Sequence, residues 1–349
     1  ANLENLDTLF FCTREGVFFR AVYDALFKRS GSMSSPRSDL IKVSRLSSFA
    51  PSLLDEHAIE FPQLFRLYKA QSPNSLLRSL GLDPTEFSDL LGKHSVQPSE
   101  VFDTPANGSQ LDSLLQDPEL TRRIYRSLSR QKSGLHQYLS QHFDSRKRIG
   151  FVEIGWRGTI QNAIAQVFPE KEFHGMYLGL DLERNVMRAN CHKVAYGPDR
   201  NISQADSDLF DAINVVEFIC LSIGGSAESY LCQPDGAFRA KMRQLPEEDR
   251  WIENFSLLFQ RGVLEIANSC DVNSLVQEHR SGALRHKALD RWRHLLDAPN
   301  PDLVSAYFSL KSNEQFGRGL VSNQSNVPPL TTVFLAPFNS LKRRELIRF

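Results

Sequence analysis

A chain of 349 residues can bury a substantial core, as one large domain or two of ordinary size. Lysine plus arginine and aspartate plus glutamate both total 41, a balance that argues against nonspecific binding to nucleic acid and makes any anion recognition local. Hydrophobic residues are 41% of the chain, yet no unbroken apolar run approaches the roughly 20 residues that cross a bilayer.

The first residues, Ala1-Asn2-Leu3-Glu4, are too acidic and polar for a secretory signal. Thr8-Leu9-Phe10-Phe11-Cys12 reads as a short buried strand, followed by the turn Thr13-Arg14-Glu15-Gly16. An amphipathic helix then places Phe19, Val22, Tyr23, Leu26 and Phe27 on one face, with Lys28 and Arg29 in its last turn, where cations suit the dipole. Leu40-Ile41-Lys42-Val43-Ser44 is a second strand candidate, running into Arg45-Leu46-Ser47-Ser48, where hydroxyls can cap a new helix.

Between Pro51 and Arg148 helical pieces such as Phe61 to Tyr68 and Leu120 to Leu139 alternate with breaks such as Gln71-Ser72-Pro73-Asn74 and Thr104-Pro105-Ala106-Asn107-Gly108. Arg148 to Ile154 reads as a strand, and Ile160, Ile164, Val167 and Phe168 form the stripe of a core-facing helix after it. Glu172 to Asp181 supplies another strand centred on Met176 to Leu180, and Asp211 to Leu221 another helix. From Pro246 onward the text is largely helical, including Leu284 to Leu296; a polar segment, Lys311 to Asn326, precedes Val333 to Pro337 and the basic tail Lys342-Arg343-Arg344.

The alternation predicts an α/β fold: a mostly parallel sheet with flanking helices, a helical insertion and a largely helical C-terminal region. The expected division is 1–50 and 148–245 for the two parts of the α/β core, 51–147 for the insertion or cap, and 246–349 for the C-terminal helices.

Ligands of an open parallel sheet bind beyond the carboxyl ends of its strands, where the next helix offers unpaired amides and a positive dipole end. Glu153-Ile154-Gly155-Trp156-Arg157-Gly158-Thr159-Ile160-Gln161 is such a junction. Gly155 and Gly158 let backbone amides approach a phosphate, Arg157 adds a charged fork, Thr159 a hydroxyl, and Glu153 faces the same cavity from the strand tip. A Gly-x-x-Gly turn also serves simply to reverse the chain, and spacing alone leaves both readings open. The glycines are too sparse for a methyltransferase or dinucleotide turn, and a P-loop is excluded by the missing Lys-Ser/Thr.

The Thr13 to Gly16 turn repeats the logic after the first strand, so Arg14 and Arg157 are expected to converge on one anion, the alternative being an arginine paired to a carboxylate. Glu217, on an apolar helix that stops at Gly224-Gly225, lies either on the polar face or buried with a partner; the second case suggests a site.

Hydrolase signals mostly fail. Leu180-Asp181-Leu182-Glu183 resembles the nucleophile turn of haloacid-dehalogenase-type phosphatases, but Glu183 stands where those have a second aspartate, which leaves Asp181 structural. There is no HExxH and no Gly-x-Ser-x-Gly elbow, and His279 and His286, seven apart on one expected helix, read as surface residues. Cys12, Cys191, Cys220, Cys232 and Cys270, an odd number without CxxC spacing, read as reduced thiols of a cytosolic protein.

Taken together, Leu9 to Gly16, Val43-Ser44-Arg45-Leu46-Ser47, the Glu153 to Gln161 block and the Glu217 to Tyr230 segment resemble a bacterial family of surface-polysaccharide gene clusters (O-antigen and capsule). Its members are often labelled predicted haloacid-dehalogenase-superfamily hydrolases, after an N-terminal phosphatase domain that is not in this sequence. The similar part is the glycan phosphoribosyltransferase module of dual-domain ribofuranosyltransferases, and the resemblance covers most of residues 7 to 235. The Gly-Trp-x-Gly-Thr block is its specific element. Glu15 and Glu153 stand where many relatives have aspartate, which moves each carboxylate outward by a methylene.

The resemblance implies a cytoplasmic glycosyltransferase that moves 5-phosphoribose from 5-phosphoribosyl-1-diphosphate to a hydroxyl of a lipid-linked or oligosaccharide glycan, releasing diphosphate. A separate or fused phosphatase then removes the remaining phosphate, and nucleic acid is not a partner. Glu153 is the first choice for base, with Glu15 and Glu217 second. Gly155, Trp156, Arg157, Gly158, Thr159 and Gln161 go to the donor phosphates, with Arg14, Gly16 and Arg45 as helpers. Mg2+ commonly accompanies diphosphate leaving groups, but the paired-acid loop of ordinary phosphoribosyltransferases is absent, so no metal ligand is assigned. The basic tail reads as solvated surface, with peripheral contact at the inner face of the membrane as the alternative. A phosphohydrolase and a non-catalytic acceptor-binding or scaffold module of a polysaccharide assembly protein are the competing functions.

Overall fold

Thr8–Cys12 (β1) is buried at every position, as an apolar run must be when helices cover both faces of a parallel sheet. It lies between Arg37–Ile41 (β2) and Arg148–Glu153 (β3), and Glu172–Tyr177 (β4) and Cys191–Ala195 (β5) extend the sheet beyond β3. The order is β2-β1-β3-β4-β5 and every pairing is parallel. This is the α/β fold expected, described in a computed structural model over residues 6–27, 35–54, 59, 72–102, 110–183, 188–309, 311–312 and 322–323.

The period-2 alternation of strands sorts side chains between two helical layers. Leu9 and Phe11 pack toward Phe19 and Tyr23 of Gly16–Phe27 (α1) on one face. Phe10, Cys12, Ile149 and Phe151 face the other way, onto Leu135, Leu139 and Phe143 of one helix and Ile160 and Ile164 of Thr159–Val167. The expected stripe Ile160, Ile164, Val167, Phe168 is buried throughout.

Arg45–Ser52 (α2) starts after β2 with a capping box, in which the Ser44 hydroxyl accepts from the Ser47 amide and the Ser47 hydroxyl accepts from the Ser44 amide. The described residues of the insertion are helical: Pro73–Ser79 (α3), a 3-10 turn at Pro84–Phe87, Ser88–Lys93 (α4), Gln110–Leu115 (α5) and Pro118–Phe143 (α6). They share an apolar cluster that includes Leu77, Leu80, Leu91, Leu111 and Ile124. At 26 residues, α6 belongs to both cores, with Leu120, Ile124 and Leu128 in the insertion and Leu135, Leu139 and Phe143 on the sheet. The helical piece Phe61 to Tyr68, the break Thr104 to Gly108 and the pair Lys28 and Arg29 lie outside the described residues.

After α7 (Thr159–Val167) and the strands β4 and β5, a 3-10 turn at Ser207–Ala212 leads into Ile213–Cys220 (α8), splitting what the sequence suggested as one helix from Asp211 to Leu221. Two strand expectations shift as well. The second strand ends at Ile41 because Val43 leaves the sheet to join the core, and the fourth ends at Tyr177, with Leu180 making only an isolated bridge to Asp199. Ala227–Cys232 (β6) and Phe238–Met242 (β7) form an antiparallel hairpin not foreseen in the sequence. Tyr230 fastens it to the core: its ring stacks on Tyr138, and its hydroxyl donates to the Lys42 carbonyl and bonds Ser47 Oγ.

The C-terminal region is helical through Pro246–Asn254 (α9), Ser256–Ser269 (α10), Val272–Arg280 (α11), Ala283–Asp297 (α12) and Pro301–Ser309 (α13). His279 and His286, expected on one helix, sit on α11 and α12, separated at Gly282 with φ +79°; both are exposed. Lys311–Ser312 and Ser322–Asn323 pair briefly, while the segment Val333 to Pro337 and the basic tail lie outside the described residues. All five cysteines are free, and no helix among the described residues is long and apolar enough to cross a membrane.

Gln161 ties α7 to the sheet. Its side chain is buried; Nε2 donates to the Phe173 and His192 carbonyls at 2.9 and 3.0 Å, and Oε1 accepts from Tyr177 Oη at 2.5 Å. A Cβ on Gly175 would stand 2.1 Å from Gln161 Oε1, so Gly175→Ala is expected to lower the urea-unfolding free energy by about 2 to 3 kcal/mol. The contrasting change Gly92→Ala, with open space around the new methyl on α4, is expected to be neutral or stabilising by up to about 1 kcal/mol. Equal effects of the two substitutions would contradict the packing account.

Candidate active site

Strand order reverses between β1 and β3: the chain leaves β1 for β2 on one side and returns to build β3, β4 and β5 on the other. Loops that leave adjacent strands in opposite directions open a crevice at the carboxyl edge of the sheet, the usual ligand position in such folds. Here the two loops are Thr13-Arg14-Glu15 and Ile154 to Gly158, the two turns singled out in the sequence, each followed by the N-terminus of a helix. The peptides Thr13-Arg14 and Gly155-Trp156 are both cis.

The second turn has its shape because two of its residues lack Cβ atoms. Gly155 has φ +133°, and a Cβ there would lie 2.2 Å from the Gly179 carbonyl oxygen. Gly158 has φ +59°, and its Cβ would lie 2.8 Å from both Tyr177 Oη and Lys193 Cε. Gly158 is also the N-cap of α7 and brings no side chain to satisfy the first turn. None of the consecutive main-chain amides from Arg157 to Gln161 donates a hydrogen bond to a described residue.

Glu153, at the tip of β3, lies among charges from four other elements. Its carboxyl is pushed up to about 8, first by burial, then by the like charge of Glu15 and, more weakly, Glu217; Arg45 and Lys193 pull it down without prevailing. It keeps some solvent-accessible surface despite dense surroundings. Burial and the same acids, Glu153 and Glu15, push up the Cys12 thiol; burial, Glu15 and Glu217 push up that of Cys220, so neither cysteine is a ready nucleophile. The three predicted carboxylates, together with Arg45 at the start of α2, are therefore one electrostatic cluster.

The other predicted residues divide. Arg157 is a third exposed and stands 3.6 Å from Asp181 Oδ2, a loose pair. Thr159 opens α7, half-buried, and its hydroxyl bonds no described residue. Arg14 does not converge with Arg157: it is drawn to Glu248 of α9 at 2.9 Å, and both side chains of that ion pair are nearly buried. Trp156 does not offer its side chain to a phosphate, because its ring packs against Phe210 and Trp292 and its Nε1–H donates to Glu217 Oε1 at 2.5 Å. Gly16 is buried where a Cβ would approach the Phe11 carbonyl carbon to 2.9 Å, which gives it a packing role. The Gln161 side chain is removed from the phosphate set because its Nε2 hydrogens are spent on core carbonyls, which leaves only its main-chain amide on the turn.

Two residues passed over in the sequence stand beside the turn. Lys193 of β5, its side chain 6% exposed, pairs with Glu183 and donates to the Arg157 carbonyl at 3.0 Å. Its only sequence signal is that it shares the buried parity of Cys191, which a reader takes for a solvated edge. Asp181, set aside as structural, donates its main-chain N–H to the Trp156 carbonyl and accepts from Arg200 Nη1 at 2.9 Å. Burial alone would raise the Asp181 carboxyl, but the Arg200 bond, the Leu182 amide and the Arg157 charge leave it lowered.

Among the described residues no group of three or more His, Cys, Asp and Glu side chains has the arrangement of a metal site. No protein-family model and no curated protein matches the chain.

Because the folded-state value of Glu153 lies above its unfolded value of 4.5, the stability it contributes is complete below that pH and is lost as pH rises through about 8. Glu153→Gln is therefore expected to be more stable than the parent at pH 9 by a margin that shrinks steadily toward pH 5, in urea unfolding at a series of pH values. A margin independent of pH would refute the buried, neutral carboxyl.

Proposed function

We propose that the chain is a glycosyltransferase that moves 5-phosphoribose from 5-phosphoribosyl-1-diphosphate to a glycan hydroxyl. The observation that carries this reading is the meeting, at the reversal of the sheet, of three carboxylates with a turn whose amides have no partner among the described residues. Displacing diphosphate from an anomeric carbon develops positive charge on the sugar ring and negative charge on the leaving oxygens. The reaction therefore needs anion donors and carboxylates side by side.

In this reading the turn from Arg157 to Thr159, with the Arg157 guanidinium, holds donor phosphates. The acceptor oxygen bonds to the anomeric carbon, the bond from that carbon to the diphosphate oxygen breaks, and the acceptor proton passes to Glu153. A carboxylate with a raised pKa is a stronger base than an ordinary one, at the cost of being mostly protonated near neutrality. The neutral form has a second use: with Glu15 and Glu217 close by, a third negative charge would repel the anionic donor. Glu217, fixed by the Trp156 indole, and Glu15 balance the cationic ring.

This accounts for why Glu153, rather than its neighbours, is the base. Burial and the charges of Glu15 and Glu217 raise its proton affinity, and it stands at the tip of the central strand, where the turn from Ile154 to Gly158 begins. A phosphohydrolase is less well supported, since Asp181, the one candidate nucleophile of that type, is engaged by Arg200 and Arg157.

Incubation with 5-phosphoribosyl-1-diphosphate and candidate glycans is expected to add the mass of one phosphopentose, with the rate rising as pH increases through about 8. Glu153→Gln is expected to lower the rate by about 10² to 10⁴-fold with donor affinity retained, while Arg157→Ala weakens donor binding in calorimetry. No donor binding by the unaltered chain, or any other product mass, would overturn the assignment.

A further inference from the structure

The Gly158 turn stands on a buried lysine. Lys193 reaches from β5 beneath it, is held by Glu183, and donates to the Arg157 carbonyl at 3.0 Å. One residue earlier, the Trp156 carbonyl is taken by the main-chain N–H of Asp181, which follows β4. Two successive carbonyls of the turn are thus anchored by groups from the β4 and β5 side of the sheet.

The peptides that contain these carbonyls are trans. In a trans peptide the C=O and the next residue's N–H point in opposite directions. Anchoring the Trp156 and Arg157 carbonyls toward β4 and β5 therefore turns the Arg157 and Gly158 N–H groups away from that side. Gly158 is in the left-handed region, the conformation used where consecutive amides of a turn form an anion-binding concavity. Thr159, Ile160 and Gln161 continue it with amides that likewise have no described partner.

We infer that Lys193 is a positioning residue of the donor site: by holding the Arg157 carbonyl it presents the Arg157 and Gly158 amides to a phosphate or diphosphate group. This rests on the phosphoribosyl-transfer reading for the identity of the donor, but the amide cradle itself requires only an oxyanion. Burying an ammonium and a carboxylate together is costly unless the geometry is well satisfied. Here the third partner of the lysine is the very peptide that shapes the turn. Lys193 also bears on Glu153, whose carboxyl it pulls downward alongside Arg45 and against Glu15 and Glu217.

The test uses inorganic pyrophosphate as probe and the whole chain, with amide resonances followed by nuclear magnetic resonance. In the unaltered protein the Arg157 and Gly158 amides are expected to shift on titration. Because Lys193→Met alone would strand the Glu183 carboxylate, the variant is Lys193→Met with Glu183→Gln, checked for unchanged circular dichroism. It is expected to bind pyrophosphate about tenfold or more weakly, and its Glu153 titration, read from stability against pH, is expected to move above that of the parent.

The inference is overturned if those two amides do not respond in the unaltered protein, a measurement that needs no variant to fold. It is equally overturned if the double variant binds as tightly as the parent. Pyrophosphate bound on these amides without transfer of a phosphopentose would leave the inference standing and remove the transferase reading. Transfer that is indifferent to the double substitution would do the reverse.

Discussion

The reversal of strand order between β1 and β3 governs everything at the carboxyl edge of this sheet. Helices that follow strands on either side of the reversal depart to opposite faces, so neither of these two helices crosses above the strand tips. α1 packs on the face of Leu9 and Phe11, and α7 on the face of Phe10 and Phe151. The space between their N-termini receives Glu15 from one loop, Glu153 from the strand and the Gly155 to Gly158 turn from the other loop. Two further elements, α2 with Arg45 and α8 with Glu217, close in on the same space.

The charge on Glu153 is set by burial and by several neighbours at once. Glu153 has cations within electrostatic reach, yet burial and two like charges outweigh them. Arg14 is paired with Glu248, and Lys193 with Glu183. The result is a carboxyl that holds its proton near neutrality beside amides with no partner among the described residues. Strongly perturbed carboxyls of this kind occur both in structural networks and in functional sites, and the neighbouring amides are what favour the second reading.

The framework beneath is correspondingly well tied. Gln161 links α7 to β4 and β5 through three hydrogen bonds, and Tyr230 links the β6–β7 hairpin to the start of α2 and to α6. α6 runs from the core of the insertion to the core of the sheet, so the insertion is anchored by a continuous helix rather than by a loop alone. Such ties fix where the turn and the carboxylates stand relative to the sheet.

The sequence by itself determined the α/β class, the central strands, the core stripe of α7 and the two glycine-bearing turns at the strand ends. Those features are set by local periodicity and, at Gly155 and Gly158, by the φ that glycine adopts most easily, and both are written in neighbouring residues. It also marked Glu15, Glu153 and Glu217, which the fold brings into one cluster. What it did not determine was which side chains are free to act. Arg14 lies 234 positions from its partner Glu248, Trp156 lies 61 from Glu217, and Lys193 lies 36 from the Arg157 carbonyl it holds. Partners at such separations are chosen by the packing of helices and strands. So the Gln161 side chain could read as a ligand when it is a core tie, and Lys193 as edge surface when it lies under the turn. Only the tertiary structure decided these, because burial and charge pairing depend on what the rest of the chain brings close.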